Sequence, residues 1–248
     1  MRWFMGSAAR DFRNDFTSGD VRAFWDSVSE IYDKANEKIR GAHDQRYHES
    51  FKYFVDKLPL RILNVWSRTG EAVEFLSAKG VPCEIIHLEV SLRMIRKGLS
   101  YGRKGKYVQT DLTHLPVKTG SFDLIWSLET LEHCPDPELF LREVHRGLTD
   151  DGYLVMSCPP AFAEIVLRLY EIFVFNHGEG PHRFISSRNV KTLLRRCGFR
   201  LIEHKGTLFF PFKNSLLKKV DAAVEAPLNK LGLSDLGIRQ FYFAQKIA

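Results

Sequence analysis

Cysteine is scarce in this sequence, and its four residues are scattered rather than grouped. No CxxC pair and no compact cluster of cysteine and histidine occurs. This spacing argues against the framework of a disulfide-stapled domain and against a structural zinc site, and no metal site is expected. We expect the four, which are Cys83, Cys134, Cys158 and Cys197, to be reduced thiols in a cytoplasmic protein.

Long apolar runs are missing as well. No stretch approaches the roughly 20 apolar residues that a membrane-spanning helix needs. The opening residues 1–5 are too few, and too soon followed by polar residues, to predict a signal peptide. Internal repeats and low-complexity segments are also absent. These absences favour a globular protein over a membrane, repeat or disordered class.

What the sequence does contain is enough apolar material for a sizeable core, with 44% hydrophobic residues in a chain of 248. This length suits one α/β domain with additions. The formal charge is +6 and the isoelectric point is near 9.1. Such mild basicity permits an anionic partner without requiring one.

The stretch from Arg61 to Pro159 organises the chain. It opens on Arg61–Val73, where an apolar run meets a small polar turn and then a helical pattern, as in α/β units that cradle a nucleotide. Strand patterns alternate with helices that begin near Thr69, Ser91 and Pro137. This alternation predicts a parallel sheet with helices on both faces. The predicted strands are 61–66, 83–89, 105–109, 122–127 and 152–157.

Acidic residues follow two of these strands. Glu89 ends the second, where a carboxylate can accept hydrogen bonds from the two hydroxyls of a ribose. Asp111 follows the third. The fourth lies within SFDLIWSLETLEHCPDPE, residues 121–138, where Asp136 is predicted to cap a helix that has Pro137 at its first position.

In this order, the segments resemble the class I S-adenosylmethionine-dependent methyltransferases. Within them the chain is most similar to the small-molecule branch that contains ubiquinone-biosynthesis-type enzymes. The resemblance covers the middle of the chain and returns at residues 182–186. It implies an α/β fold, with a Rossmann-like seven-stranded sheet, helices on both faces and an N-terminal helical cover. Residues 240–245 fit the antiparallel last strand of that sheet.

The resemblance also implies a cofactor, S-adenosyl-L-methionine, and an activity, methyl transfer to a small-molecule or lipid-like acceptor. Oxygen is the expected methylated atom, with nitrogen and carbon as alternatives. In the family pattern, Glu89 binds the ribose, Asp111 and Leu112 lie beside the adenine, and Ser127 and Leu128 face the methionine part. The expected cofactor-binding set is Asn64, Trp66, Arg68, Gly70, Glu89, Val90, Asp111, Leu112, Ser127 and Leu128.

The first turn departs from the family pattern, which has an acid at position 64 and glycines at 66, 68 and 70. Only Gly70 remains, while Asn64, Trp66 and Arg68 replace the others. Glycine suits such a turn because it approaches a ligand closely and adopts positive φ. Two interpretations stay open. Arg68 reaches the cofactor carboxylate in a remodelled pocket, or the pocket is impaired and the chain is a binding protein on a methyltransferase fold.

His133 follows the fourth strand, at a position that opens onto the methyl-transfer site in the family. It is a candidate base for an acceptor hydroxyl, and the alternative is a structural histidine bonded to backbone. An RNA methyltransferase is a further alternative. The Asn-Pro-Pro-aromatic motif of adenine-amino methyltransferases is absent after the fourth strand, which argues against a nucleic-acid acceptor.

The chain divides into an N-terminal arm and helical cover, 1–58, and a methyltransferase domain, 59–248. In the cover, Asp20 is predicted to cap a first helix, and a second helix is predicted over 43–57. Later helices are predicted over 161–175, from a cap at Ser187 onward, and over 214–231 with an interruption at Pro227.

Within the methyltransferase domain, 161–182 and 209–235 are predicted to cover the acceptor side. Aromatic residues beside lysines in the second of these segments also suit shallow membrane contact. The basic run 93–106 is either a phosphate or membrane contact or a solvated face. The oligomeric state is not predicted.

Overall fold

The computed structural model describes residues 15–37, 40–81, 84–166, 180–209 and 215–247. Its centre is one seven-stranded sheet in the order β3-β2-β1-β4-β5-β7-β6. Strands β1 to β5 pair in parallel, and β7 runs antiparallel to both β5 and β6. The predicted α/β class, the seven strands and the antiparallel last strand are confirmed. The strands are β1 (Ile62–Val65), β2 (Ile85–Glu89), β3 (Lys106–Gln109), β4 (Phe122–Leu128), β5 (Leu148–Cys158), β6 (Phe199–Thr207) and β7 (Arg239–Lys246).

Helices cover both faces of this sheet. Among the described residues, no helix is both long and apolar enough to cross a membrane. The helices are α1 (Ser18–Val28), α2 (Tyr32–Glu37), α3 (Arg40–Phe51), α4 (Glu71–Ala78), α5 (Leu92–Ser100), α6 (Pro137–Gly147), α7 (Ser187–Arg196) and α8 (Ser215–Lys230).

Helix starts follow their capping residues. The Asp136 side chain accepts from the backbone N–H of Leu139 at 2.9 Å, which confirms the predicted cap of α6. The prediction that Asp20 caps α1 is wrong by three residues. Thr17 is the cap, and Asp20 returns a hydrogen bond to the Thr17 backbone in a capping box. Similarly, Ser186 rather than the following serine caps α7.

Other helix boundaries also differ from the predicted ones. The helix predicted over 43–57 begins earlier, as α3, and ends at Phe51. Helix α8 runs through Pro227, where an interruption was predicted. The arm 1–14, most of the apolar helix predicted over 161–175, and residues 210–214 of the aromatic segment lie outside the described residues.

Alternation along the strands creates a core on each side of the sheet. In β4, Ile125 packs into the core that includes α1 and α6, whereas Trp126 packs with Phe54 and Leu76 on the opposite face. Because the first five strands are parallel, their carboxyl ends meet at one edge. Open α/β sheets bind ligands at that edge.

Candidate active site

The loop after β1 has a glycine-like backbone although positions 66 and 68 are not glycine. Trp66 and Arg68 have φ values of 61° and 54°, and Gly70 has 83°. A non-glycine residue in this region costs of order 1–3 kcal/mol and persists only where the surroundings impose it. Here the Ser67 N–H donates to the Leu88 carbonyl at 3.0 Å, which ties the loop to β2.

Gly70 is required for a second reason. A Cβ atom at this position would lie 2.0 Å from the Tyr107 hydroxyl oxygen. Gly70 is also the N-cap residue of α4 and has no side chain with which to cap that helix. Its N–H instead closes the turn by donating to the Ser67 carbonyl at 2.8 Å. The one retained glycine therefore stands where both the positive φ and the close approach demand it.

The Arg68 guanidinium is buried between two indole rings. Its central carbon lies 3.9 Å from the ring centroid of Trp25 and 4.1 Å from that of Trp66. Nη2 donates to the Glu129 carbonyl at 3.4 Å, whereas Nη1 has no partner within the described part of the chain. Burial lowers the pKa of Arg68. A buried guanidinium with an unused N–H is a ready partner for an anion.

His133 also contacts Trp66. The two rings stack at a centroid distance of 4.9 Å, and Trp25 meets both of them edge-on. His133 Nδ1 is 2.8 Å from the Pro181 carbonyl oxygen, which can only accept, so Nδ1–H donates. Nε2 lies 3.9 Å from a Glu132 carboxylate oxygen.

Glu89 is fully buried at the end of β2. Its Oε1 accepts from the N–H groups of Val90 and Ser91 at 2.9 and 3.0 Å, and its Oε2 accepts from the Arg68 N–H at 2.6 Å. Desolvation nevertheless raises the pKa of Glu89 to about 7. Each carboxylate oxygen can accept two hydrogen bonds, so Oε2 keeps one further position for a hydroxyl.

Asp111 and Leu112 lie at the end of β3, beside Val90. The Asp111 Oδ1 accepts from the N–H and the hydroxyl of Thr113, both at 2.8 Å. Val90, Asp111, Leu112 and His133 border a cavity of about 10 Å³ that α1 closes with Ser18, Val21 and Arg22. Such a volume holds about one water molecule.

Asn64, Ser127 and Leu128 belong to the strands below this cleft. The Asn64 amide lies 3.1 Å from His87 Nδ1, so it bonds to the neighbouring strand. Burial lowers the pKa of His87 to about 4. Ser127 is buried opposite Val65 on β1. The Leu128 side chain packs into the core on the α3 and α4 face, which leaves its backbone at the sheet edge.

The structure adds two residues that the sequence pattern did not assign. Trp25, from α1, closes the cleft over Arg68. Glu129, directly after β4, has φ of 52°, and its carboxylate accepts from the Ser157 hydroxyl at 2.6 Å and from Arg239 Nε at 3.2 Å. An acid at a strand end was a usable signal for Glu129. Nothing in the local pattern marks Trp25 as a cleft residue.

The basic run 93–106 is partly used inside the protein. Arg103 is 11% exposed and binds Glu74 at 3.1 Å and the Thr69 carbonyl at 3.2 Å. Lys97 pairs with Glu30 after α1 at 2.6 Å. Only part of this run is thus a solvated face, and Lys97 helps to hold the N-terminal layer against α5.

The polar groups of the cleft fit S-adenosylmethionine. Arg68 Nη1 and Trp66 Nε1 are buried donors without a partner in the described chain, and they suit a carboxylate. Glu89 suits the ribose hydroxyls. The space does not yet fit, because α1 fills the cleft with Trp25 and Val21. Helix α1 is held there by Asp26, which accepts from the Ser91 hydroxyl at 2.6 Å.

Comparison with known proteins agrees with this geometry. Residues 63–156 match the model of a methyltransferase domain. The chain is 28% identical over 192 residues to a malonyl-[acyl-carrier protein] O-methyltransferase of Laribacter hongkongensis, covering 72% of this chain and 63% of that protein. It is 28% identical over 169 residues to a ubiquinone biosynthesis O-methyltransferase of Xanthomonas oryzae pv. oryzae, covering 64% and 71%. The chain therefore spans less than two thirds of the first of these relatives.

A solved structure supports the fold. Magnesium protoporphyrin IX methyltransferase of Synechocystis PCC 6803, determined with bound S-adenosylhomocysteine, matches with a TM-score of 0.64. The match covers 93% of this chain and all of that one, at 16% identity. At this identity the likeness establishes the fold.

Proposed function

We propose that this chain, a class I S-adenosylmethionine-dependent methyltransferase by sequence and by fold, methylates an oxygen atom of a small-molecule or lipid-like acceptor. The observation that carries the proposal is the arrangement of Arg68 and Glu89 around the loop after β1. There a buried guanidinium with an unused N–H faces the cleft beside a buried carboxylate. S-adenosylmethionine has a carboxylate that Arg68 can bind and two ribose hydroxyls that Glu89 can bind.

The cofactor supplies a methyl group that its sulfonium has already activated. The protein's own task is therefore to bind, to orient and to exclude water. Arg68 and Trp66 bind the carboxylate, Glu89 the ribose hydroxyls, and Asp111 with the Leu112 backbone the adenine. The backbone at Ser127 and Leu128 borders the methionine part, as proposed for the family pattern.

His133 is the proposed base. Its Nδ1–H donates to the Pro181 carbonyl, which orients the ring, and Nε2 is the atom proposed to take the proton of an acceptor hydroxyl. Glu132 at 3.9 Å would stabilise the resulting imidazolium. The stacked Trp66 ring excludes water from one face of the imidazole. Proton transfer at a neutral imidazole suits an oxygen nucleophile near neutral pH.

Binding requires α1 to shift. The adenine side has room for about one water molecule, and Trp25 covers Arg68. The polar contacts that hold α1, from Ser91 to Asp26 and from Lys97 to Glu30, can exchange with water. We therefore assign α1 the role of a cover that opens for the cofactor and closes on it.

The acceptor side is proposed from the relatives. Their names specify O-methylation, of malonyl-[acyl-carrier protein] by one relative and in ubiquinone biosynthesis by the other. Segments 161–182 and 209–235 are the proposed cover of this side. The buried free thiols, such as Cys134 and Cys158, suit a cytoplasmic enzyme.

Calorimetric titration with S-adenosylhomocysteine tests the proposal. We expect micromolar binding that Arg68→Ala and Glu89→Ala each weaken by about tenfold or more, since each removes about one charge-assisted hydrogen bond. Arg96→Ala, an exposed arginine of α5, is the matched control and should leave the affinity unchanged.

A non-catalytic binding protein is the second candidate. The specific observation in its favour is the cleft itself, which Trp25, Trp66 and Arg68 fill. Absence of detectable nucleotide binding to well-folded protein would support this candidate and reject the enzyme.

A further inference from the structure

Helix α8 carries acidic residues on its inner side and mainly apolar residues on its outer side. Asp221 is buried, and the Glu225 carboxylate pairs with Lys205 of β6 at 2.5 Å. Among the side chains of α8 that the structure describes, the exposed ones are Val220, Ala223, Ala226, Pro227 and Lys230. A surface helix of a globular protein ordinarily has the opposite arrangement, with its apolar residues facing the core. The outer face of α8 is therefore suited to an apolar partner.

Three exposed leucines extend this face beyond the end of α8. Leu231, Leu233 and Leu236 are 74%, 40% and 56% exposed. Backbone hydrogen bonds fix their positions, because the Leu231 N–H donates to the Pro227 carbonyl and the Leu236 N–H to the Leu233 carbonyl, each at 3.0 Å. Exposed apolar groups that lie this close together mark a site of interaction with a protein or a membrane. We call the exposed apolar residues of α8 and these three leucines the leucine surface.

The segment after α8 is fixed to the sheet, so the exposure of its leucines does not result from a loose end. Ser234 is buried, and its carbonyl accepts from the side-chain amide of Gln240 on β7 at 2.9 Å. Gly206 of β6 leaves room for this contact, since a Cβ atom there would lie 2.0 Å from the same carbonyl oxygen. At the end of α8, the Asn229 side chain exchanges two hydrogen bonds with the Gly206 backbone, at 2.8 and 2.9 Å. A rigid support presents the leucines, which lowers the entropic cost of binding.

A basic stripe on α7 borders the leucine surface. Arg188, Lys191 and Arg195 follow one another at intervals of three and four residues, which places them on one side of the helix. Lys191 Nζ lies 3.2 Å from Oδ1 of Asp235, which belongs to the same segment as the leucines. Arg188 and Arg195 are exposed, as is Lys230 at the end of α8. These cations favour an anionic partner.

Apolar side chains bordered by cations match the surface of a bilayer that contains anionic lipids. Leucines enter the boundary between headgroups and acyl chains, while lysine and arginine remain at the level of the headgroups. A second copy of the chain fits this surface less well. It would bring two basic stripes together in a chain whose formal charge is already +6.

The leucine surface also lies near the edge of the sheet that holds the candidate active site. Leu236 is followed after two residues by Arg239, the first residue of β7. Arg239 pairs with Glu129 at 3.2 Å, and Glu129 directly follows β4. The carboxyl end of β4 belongs to the edge where the cofactor is proposed to bind. A lipid-like acceptor held in a bilayer would therefore lie close to the site.

We propose that the leucine surface and the basic stripe bind the surface of a bilayer that contains anionic lipids. The leucines lie at the boundary between headgroups and acyl chains, and the cations of α7 contact the lipid phosphates. That the acceptor reaches the site from this bilayer rests on the proposed function, whereas binding to the bilayer does not.

Cosedimentation with vesicles of phosphatidylcholine that contain about one quarter phosphatidylglycerol tests the proposal. We expect saturable binding, and binding to vesicles of phosphatidylcholine alone should be weaker by about tenfold or more, because the attraction of the cations is lost. The double variant Leu231→Ser with Leu236→Ser should weaken binding to the anionic vesicles about tenfold or more, since each change removes apolar surface from the contact.

The basic stripe is tested separately. Arg188→Gln with Arg195→Gln should also weaken binding to the anionic vesicles about tenfold or more. The matched controls are Leu99→Ser and Arg96→Gln, both exposed on α5, which packs against β2 and β3 at the other end of the sheet. Each control should change the affinity less than about twofold.

Titration with S-adenosylhomocysteine separates this proposal from the proposed function, because the altered side chains lie outside the cleft. Vesicle binding without nucleotide binding would support the membrane contact and reject the enzyme. Absence of saturable binding to anionic vesicles by well-folded protein overturns the membrane contact, whether or not the nucleotide binds. Equal binding to neutral vesicles, or unchanged binding in both double variants, also overturns it. A dimer in lipid-free solution that the leucine variant dissociates would assign the surface to a second copy and overturn the proposal as well.

Discussion

Two buried titratable groups on β2 should oppose each other in the pH dependence of stability. Burial raises the pKa of Glu89 from 4.5 to about 7 and lowers that of His87 from 6.5 to about 4. Each change corresponds to about 3 kcal/mol, at about 1.4 kcal/mol for each tenfold change in proton affinity. Both lie on the same strand, two residues apart, and both are fully buried.

The signs follow from proton uptake. Folded Glu89 holds its proton more tightly than the unfolded residue does, so its contribution to the free energy of unfolding falls as pH rises from 4.5 to about 7. Folded His87 binds its proton more weakly, so its contribution rises between about 4 and 6.5 and is lost on acidification. The two contributions nearly cancel across the shared window.

Glu89→Gln removes one of the two contributions. We therefore compare the free energy of unfolding of the variant with that of the unaltered protein at each pH. The variant value minus the unaltered value should rise by about 3 kcal/mol from pH 4.5 to pH 7.5. A constant offset is expected as well, because the glutamine NH₂ or the Arg68 N–H loses its acceptor. Urea unfolding, followed by tryptophan fluorescence at half-unit pH steps, measures the difference.

Groups that titrate in both proteins cancel in that comparison. Glu84→Gln, at a side chain 93% exposed, is the matched control, because it removes a carboxylate that folding does not bury. His87→Gln should give the opposite trend from Glu89→Gln. A Glu89→Gln difference that stays constant within about 0.5 kcal/mol over the range, or that falls with pH, would refute the reasoning.

Two further predictions concern the loop and its cover. A Cβ atom at Gly98 of α5 would lie 2.2 Å from the Thr69 carbonyl oxygen. Gly98→Ala should therefore lower the free energy of unfolding by about 1–3 kcal/mol and weaken S-adenosylhomocysteine binding. The control, Ser100→Ala on the exposed face of α5, should change neither quantity. Trp25→Ala should lower the free energy of unfolding by about 3–5 kcal/mol, because Trp25 is buried. It should also raise the association rate constant of S-adenosylhomocysteine, measured by stopped flow, because Trp25 covers Arg68. An unchanged or lower rate constant would contradict the covering role of α1.

The fold could be predicted because its signals are local. Alternating apolar patterns located the strands, and the Asp136–Pro137 pair located a helix start, since both depend on residues adjacent in sequence. The cap of α1 was missed because a capping box contains two polar residues, Thr17 and Asp20, and the pattern alone does not say which one caps.

The content of the cleft could be predicted only in part. Glu89 and Asp111 follow strand ends, which sequence periodicity locates. The stacking of Trp25 on Arg68 joins residues 43 positions apart, and no local pattern contains such a contact. The contact of Arg103 with the Thr69 carbonyl could not be predicted either, because the local sequence shows Arg103 only as part of a basic run.

Tryptophan and arginine at positions 66 and 68, where the family pattern has glycine, fit a remodelled pocket better than a broken one. Contacts from outside impose the shape of the loop: the Glu89 carboxylate binds the Arg68 N–H, and Gly98 leaves room for the Thr69 carbonyl. The left-handed backbone at Trp66 and Arg68 therefore survives without glycine, at a conformational cost that these contacts offset. A merely broken pocket would not need to keep that backbone. The difference lies in the side chains. Trp66 and Arg68 each present a side-chain N–H donor to the cleft, and glycine at these positions would present no side-chain donor.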